Sequence, residues 1–250
     1  MMKYLKLFEK FNNKDIHSIC KKYRIENYTI NEDGSIDVDG DVDLYNKGLT
    51  KLPLKFNKVS GYFDCFFNDL TSLEGCPKEI SGSFYCSFNQ LTSLEGCPEK
   101  INDGFYCSNN LLTSLSGCPE KVSGLFNCLN NNLTSLEGCP KEVGKYFNCS
   151  NNLLTSFEHC PKEIYGDFYC YNNKIISFDH LPFSIGGNFY CKGNPIYEIW
   201  KLFEDYDKID LFNDCDPIRE PDIIILDRLN FFLEKIGKPI VSEVEGYKCI

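Results

Sequence analysis

The 250-residue sequence predicts a repeat β-solenoid in which parallel strands stack in coils of 21 residues, closed by a cap at each end. Three columns of residues carry that reading. An aliphatic residue stands at Val38, Val59, Ile80, Ile101, Val122, Val143, Ile164 and Ile185, always 21 positions apart. Four positions later come Val42, Phe63, Phe84, Phe105, Phe126, Phe147, Phe168 and Phe189, and two further on Leu44, Cys65, Cys86, Cys107, Cys128, Cys149, Cys170 and Cys191. Asparagine then recurs at Asn68, Asn89, Asn110, Asn131, Asn152, Asn173 and Asn194, with Lys47 in the first coil. A fixed period of this length is the signature of a stacked array, because one unit cannot bury its own apolar side and a column of neighbours can.

Each part of the unit has a physical role. Phe63 and Cys65 are two apart, so on an extended strand they share one face, and the fixed Phe and Cys columns face the core. Asparagine ends the strand, where its amide can donate to and accept from backbone groups of adjacent coils. The unit continues Leu-Thr-Ser-Leu-Glu-Gly-Cys-Pro, as in Leu70 to Pro77. Its leucines return the chain across the core, its Gly and Pro turn it, and the next aliphatic residue, Val59 or Ile80, is expected to start the next strand.

The ends read differently. Tyr4, Leu5, Leu7, Phe8 and Phe11 have helical spacing, as do Asp15, Ile16, Ile19, Cys20 and Tyr23. Thr29-Ile30 and Ile36-Val38 flank the turn signal Asp33-Gly34. Residues 1–37 are therefore expected to cap the amino-terminal end, 38–195 to form seven full coils and a partial eighth, and 196–250 to cap the other end. In that last segment Ile196, Ile199, Trp200 and Phe203 suggest one helix, and a second is expected from Asp222 through Leu229, Phe232 and Leu233 to Gly237.

Composition narrows the function. The charge of −10 divides as +1 over residues 1–37, −5 over 38–195 and −6 over 196–250, and the coils contain no Arg, which argues against nucleic acid and anionic membrane as partners. The first residues alternate charge with apolar groups, unlike a secretory signal, and no apolar run has membrane-spanning length. A soluble, monomeric, cytoplasmic protein is expected, its 15 cysteines mostly reduced. The spacing lacks Cys-x-x-Cys, so no metal is expected; His159 and His180, one period apart, read as polar turn residues rather than as a metal clip. With 3 histidines and no Cys/His or Ser/His pair to nominate, neither catalysis nor a cofactor is expected.

The motif Phe-x-Cys-x-x-Asn-x-Leu-x-x-Leu resembles the leucine-rich repeat, with Phe and Cys standing where that family usually has Leu. The resemblance covers residues 38–196, and the units look especially similar to repeats in uncharacterised proteins of large bacteriophages and other viruses. One spacing departs from the family: its first apolar residue lies three positions before the position Phe occupies, and here the interval is four. The resemblance implies binding of other proteins on the strand face.

Alternation places a variable set of side chains on that outward face. Tyr62, Asp64, Phe66, Tyr85, Tyr106, Asn127, Tyr146, Asn148, Tyr169, Tyr171 and Tyr190 are the candidate partner-binding residues. Tyr offers large contact area at low entropy cost, and Asn and Ser adapt their hydrogen bonds. Two rival readings remain: a structural component of a particle or filament, and a hydroxyl array for ice or glycan built from Thr71-Ser72 and its equivalents.

Overall fold

The computed structural model describes residues 13–250. The amphipathic segment expected between Tyr4 and Phe11 lies outside the described residues. Helix α1 (Asn13–Tyr23) buries Ile16 and Cys20 completely. An antiparallel hairpin follows, Tyr28–Ile30 with Ile36–Val38, turning through Gly34 at φ +79°. Its second strand pairs in parallel with Phe56–Val59, so the hairpin is continuous with the stack it precedes.

Each coil contributes two short strands, not one. The aliphatic residue ends the first, as in Glu79–Ile80, and the Phe begins the second, Phe84–Tyr85. A bend at Ser81–Ser83 lies between them, so successive coils build two separate sheets. This corrects the expectation of a single strand running from the aliphatic residue through the Phe, and it accounts for the four-residue interval, whose extra residue is consumed in the corner. Close stacking marks that corner: a Cβ on Gly82 would stand 2.8 Å from the Gly61 carbonyl oxygen of the preceding coil. The Val/Ile sheet has nine strands including the hairpin, and the Phe/Cys sheet has eight, all parallel. In both, equivalent residues sit directly opposite, Ile80 to Ile101 and Phe84 to Phe105.

In-register stacking turns each column into a ladder. The Phe rings from Phe63 to Phe189 follow one another at centroid distances of 5.3 to 6.0 Å, and Cys65 to Cys170 have no exposure. All fifteen cysteines are free thiols, and burial pushes those of the inner column, such as Cys65 and Cys107, well above the ordinary range. The asparagines ladder as expected. Asn89 Nδ2 donates to the carbonyls of Cys65 and Cys86, and its Oδ1 accepts the Leu70 amide at 2.9 Å. A buried polar side chain thus satisfies three backbone groups that no strand reaches.

After the last coil, Trp200 sets its ring edge-to-face on Phe189 at 5.0 Å, and Phe203 meets Phe178 at 5.9 Å. Helix α2 is one turn (Tyr197–Trp200), and α3 (Ile209–Cys215), which the sequence reading did not anticipate, adds Phe212 to the same aromatic group. Helix α4 spans Leu226–Lys235, not from Asp222. Ile223–Ile224 instead form the central strand of a small sheet with Ile218–Glu220 and Lys248–Cys249.

Candidate functional site

The outward face of the Phe/Cys sheet holds all eleven residues proposed from alternation, each partly buried. Partial burial has a simple cause: neighbours one coil apart lean on each other. Tyr85 stacks on Tyr106 at 4.6 Å and 21°, and Tyr169 on Tyr190 at 4.9 Å and 7°. Tyr146 meets Tyr169 edge-on at 5.9 Å, and Tyr171 packs beside Tyr190. Rings stacked in this way offer their edges and hydroxyls outward, with the faces spent on one another. Small residues in the flanking columns are roofed over. Ser87 and Ser108 are buried and hydrogen-bonded to each other at 2.9 Å, and a Cβ on Gly104 would lie 2.8 Å from the Tyr106 ring.

Charge is confined to the two ends of the face. At the amino-terminal end Asp64 is desolvated and Asp43 lies beside it, which together raise its pKa against the Phe66 N–H bond that lowers it. Burial, then Asp41, Asp43 and Asp64, raise that of Tyr62. At the other end the Tyr169 hydroxyl donates to Asp167 at 2.7 Å, and this bond, with burial, pushes the phenol up to about 12. Asn127 and Asn148 occupy the centre, each accepting the amide two residues on.

Three exposed rings at the amino-terminal end of this face lie outside the proposed set: Tyr45, Phe67 and Phe88, at 47%, 51% and 43% exposure. With Phe66 they form one cluster, with centroids from Phe66 to Tyr45 at 5.7 Å, to Phe67 at 6.4 Å and to Phe88 at 5.1 Å. Phe67 and Phe88 edge a hollow of about 350 Å³ together with Asn46, Asp69 and Asn109. Their backbones are left-handed, φ +56° and +55°, in a column otherwise filled by Asn46, Asn109, Asn130, Asn151, Asn172 and Gly193, all at positive φ. Asn and Gly tolerate that conformation and a bulky ring does not. The signal was present in the sequence as two aromatics in an asparagine column.

Elsewhere the surface carries charged pairs and turn hydroxyls, with Tyr165 and Phe183 exposed beside the Val/Ile sheet. On the Val/Ile sheet and its margins Lys58 pairs with Glu79, Lys121 with Glu142 and Lys141 with Glu120, each across neighbouring coils. In the hydroxyl columns Thr71, Thr92, Thr113 and Thr134 are exposed, but the adjacent Ser72, Ser93 and Ser135 turn back to accept the amide two residues on, so the pairs do not present one plane of hydroxyls. His159 and His180 take the place of Gly75 and its equivalents at φ +65° and +63°. Among the described residues no group of three or more His, Cys, Asp or Glu is gathered as a metal site, and no helix is long and apolar enough to cross a membrane.

No family model matches the sequence, and no curated protein matches it. Among solved structures, the leucine-rich-repeat domain of a Shigella effector superposes with a TM-score of 0.52 at 19% identity, over 81% of this chain and 88% of that one. At that identity the likeness concerns the fold, and it agrees with the stacked parallel strands and the 21-residue period. The chain is a leucine-rich-repeat-like solenoid.

Proposed function

We propose that the protein is a non-enzymatic interaction module, a monomer acting in the cytoplasm, that presents the outer face of its Phe/Cys sheet to a protein partner. One observation carries the reading. This face bears the aromatic cluster Tyr45, Phe66, Phe67 and Phe88, two of whose members are kept in a backbone conformation that favours Asn or Gly, while on the Val/Ile sheet Lys58 pairs with Glu79 and Lys121 with Glu142. Strained residues of this kind cluster at binding sites and switch regions. Exposed aromatics of this size are also the commonest anchors of protein interfaces.

The test is affinity capture from an extract of the native cell followed by mass spectrometry, with light scattering of the free protein. Tyr85→Ala with Tyr106→Ala should abolish capture while costing about 1–2 kcal/mol of stability from the lost cross-strand pair. Thr92→Ala with Thr113→Ala, on the return limb, should leave both unchanged. Harmless tyrosine substitutions combined with harmful threonine ones would show that the strand face is not the working surface, and a large multimer in light scattering would favour an assembly role.

A further inference from the structure

The amino-terminal third of the strand face sets carboxylates among rings, and among the described residues no cation pairs with Asp43 or Asp64. Parallel in-register pairing sets Asp43 directly beside Asp64, a juxtaposition of like charges that disfavours a sheet. Asp43 Oδ1 accepts the Tyr45 amide at 2.9 Å and Asp64 Oδ1 the Phe66 amide at 2.8 Å. Lys22, Arg24 and Lys47 border a hollow with Asp41 and Asp43. Yet neither Asp43 nor Asp64 has an ion-pair partner among the described residues, whereas Asp103, at the corner three coils along from Gly40, meets Lys145 at 3.3 Å.

Rings stand on both sides of the two carboxylates. Tyr45 and Phe66, stacked at 5.7 Å and 28°, occupy the next outward positions along the two strands. Tyr62 is the preceding outward position beside Asp64, and Tyr85, the next residue of the carboxylate column, meets it edge-on at 6.2 Å. Acidic groups between aromatic walls complement a cation that is flat and weakly hydrated. A guanidinium donates in its plane to carboxylate oxygens and lays its face on a ring, whereas an ammonium is a strongly hydrated point charge.

We propose that this patch docks an arginine-bearing segment of the protein partner, with the guanidinium on Asp43 and Asp64 and the neighbouring apolar side chains on Phe66, Phe67 and Phe88. The proposal rests on the strand face being the working surface and adds the chemistry of what it takes.

The experiment is a titration of the ¹⁵N-labelled full chain with the peptide acetyl-Gly-Arg-Leu-Arg-Leu-Gly-amide, followed by amide chemical shifts. Shifts should concentrate at Asp43 to Tyr45 and Asp64 to Phe67. The peptide with both arginines replaced by glutamine should bind about tenfold more weakly, as should the arginine peptide to Asp43→Asn with Asp64→Asn, a variant that retains both Oδ1 acceptors. Glu74→Gln with Glu95→Gln removes the same charge from exposed turns and should leave affinity unchanged. Phe67→Asn with Phe88→Asn restores the residue of the four following coils, and should raise the melting temperature while weakening the peptide several-fold.

Equal binding of the glutamine peptide, unchanged affinity of the Asp43/Asp64 variant, or shifts centred on the acidic carboxy-terminal segment would overturn the proposal. If partner capture is lost in Tyr169→Ala with Tyr190→Ala while the Asp43/Asp64 variant binds peptide normally, the strand face stands and the arginine site falls. Capture insensitive to every strand-face substitution would remove the broader reading and this one with it.

Discussion

Replacing Asn110 with Ala tests whether the buried asparagines hold the coils together. Asn110 is 6% exposed; its Nδ2 donates to the carbonyls of Cys86 and Cys107, both at 3.1 Å, and its Oδ1 accepts the Leu91 amide at 3.0 Å. Alanine leaves those three backbone groups without a partner, and a buried group so stranded costs roughly 1–3 kcal/mol. Water entering the vacated space offsets part of this, so the expected loss is about 3–5 kcal/mol, large beside the marginal stability of a domain. The adjacent Asn109 supplies the control. Its φ of +53° suits glycine, and its side chain accepts one bond from Asn130 at the surface, so Asn109→Gly should stay within about 0.5 kcal/mol of the parent. Urea unfolding followed by circular dichroism gives the energies, and hydrogen exchange at the Leu91 amide gives the local effect. If Asn110→Ala costs less than about 1 kcal/mol, or Leu91 keeps its protection, the ladder is not what joins the coils.

Three further outcomes are expected. Iodoacetamide at neutral pH should spare the thiols of the inner cysteine column in the native protein, because burial raises their pKa and hides them, and should label nearly all fifteen cysteines after denaturation without reductant; recovery of a peptide linking Cys65 to Cys86 would contradict this. Deleting residues 196–250, proposed as the carboxy-terminal cap, uncovers Phe178 and Phe189, from which Trp200 and Phe203 are removed, and should cause aggregation; a monodisperse, cooperatively folding 1–195 fragment would refute the cap. His159→Gly relieves a left-handed backbone at φ +65° and should stabilise by about 1 kcal/mol in thermal or urea unfolding, so a loss of stability would mean that the histidine side chain makes a contact worth more than the strain.

The solenoid was legible because its core columns are repeated eight times, and each column states a direction. Phe63 and Cys65 could only share a face, and the asparagine had to serve the backbone. The corner at Ser81–Ser83 was less legible, since an interval of four residues fits both a continuing strand and a bend, and the close contact of Gly82 with Gly61 that decides it is a property of stacked coils. At the carboxy-terminal end Ile223 and Ile224 suited either a helix or a strand. Pairing with Lys248 and Cys249, far along the chain, drew them into a sheet and delayed α4 to Leu226. For the candidate site, alternation located the outward columns; it was silent on Phe67 and Phe88 because a left-handed residue after the strand leaves the two-residue rhythm.

The asparagine ladder also gives the array a direction in time. Each amide reaches toward the amino terminus: Asn89 serves Cys65 and Leu70, and Asn194 serves Cys170 and Ile175. A coil emerging from the ribosome therefore holds open backbone groups that only its successor satisfies, and at about 5–20 residues per second that successor follows within roughly one to four seconds. The nascent solenoid travels with one unfinished coil at its growing end. Proline ends the series: Pro195 has no N–H for the Ile175 carbonyl, in contrast to Lys174, which donates to Leu154, and the carbonyl accepts the Ile196 amide at 3.0 Å instead. A position that would have waited for a following asparagine is closed from within, and synthesis can pass to the helices without leaving the stack open.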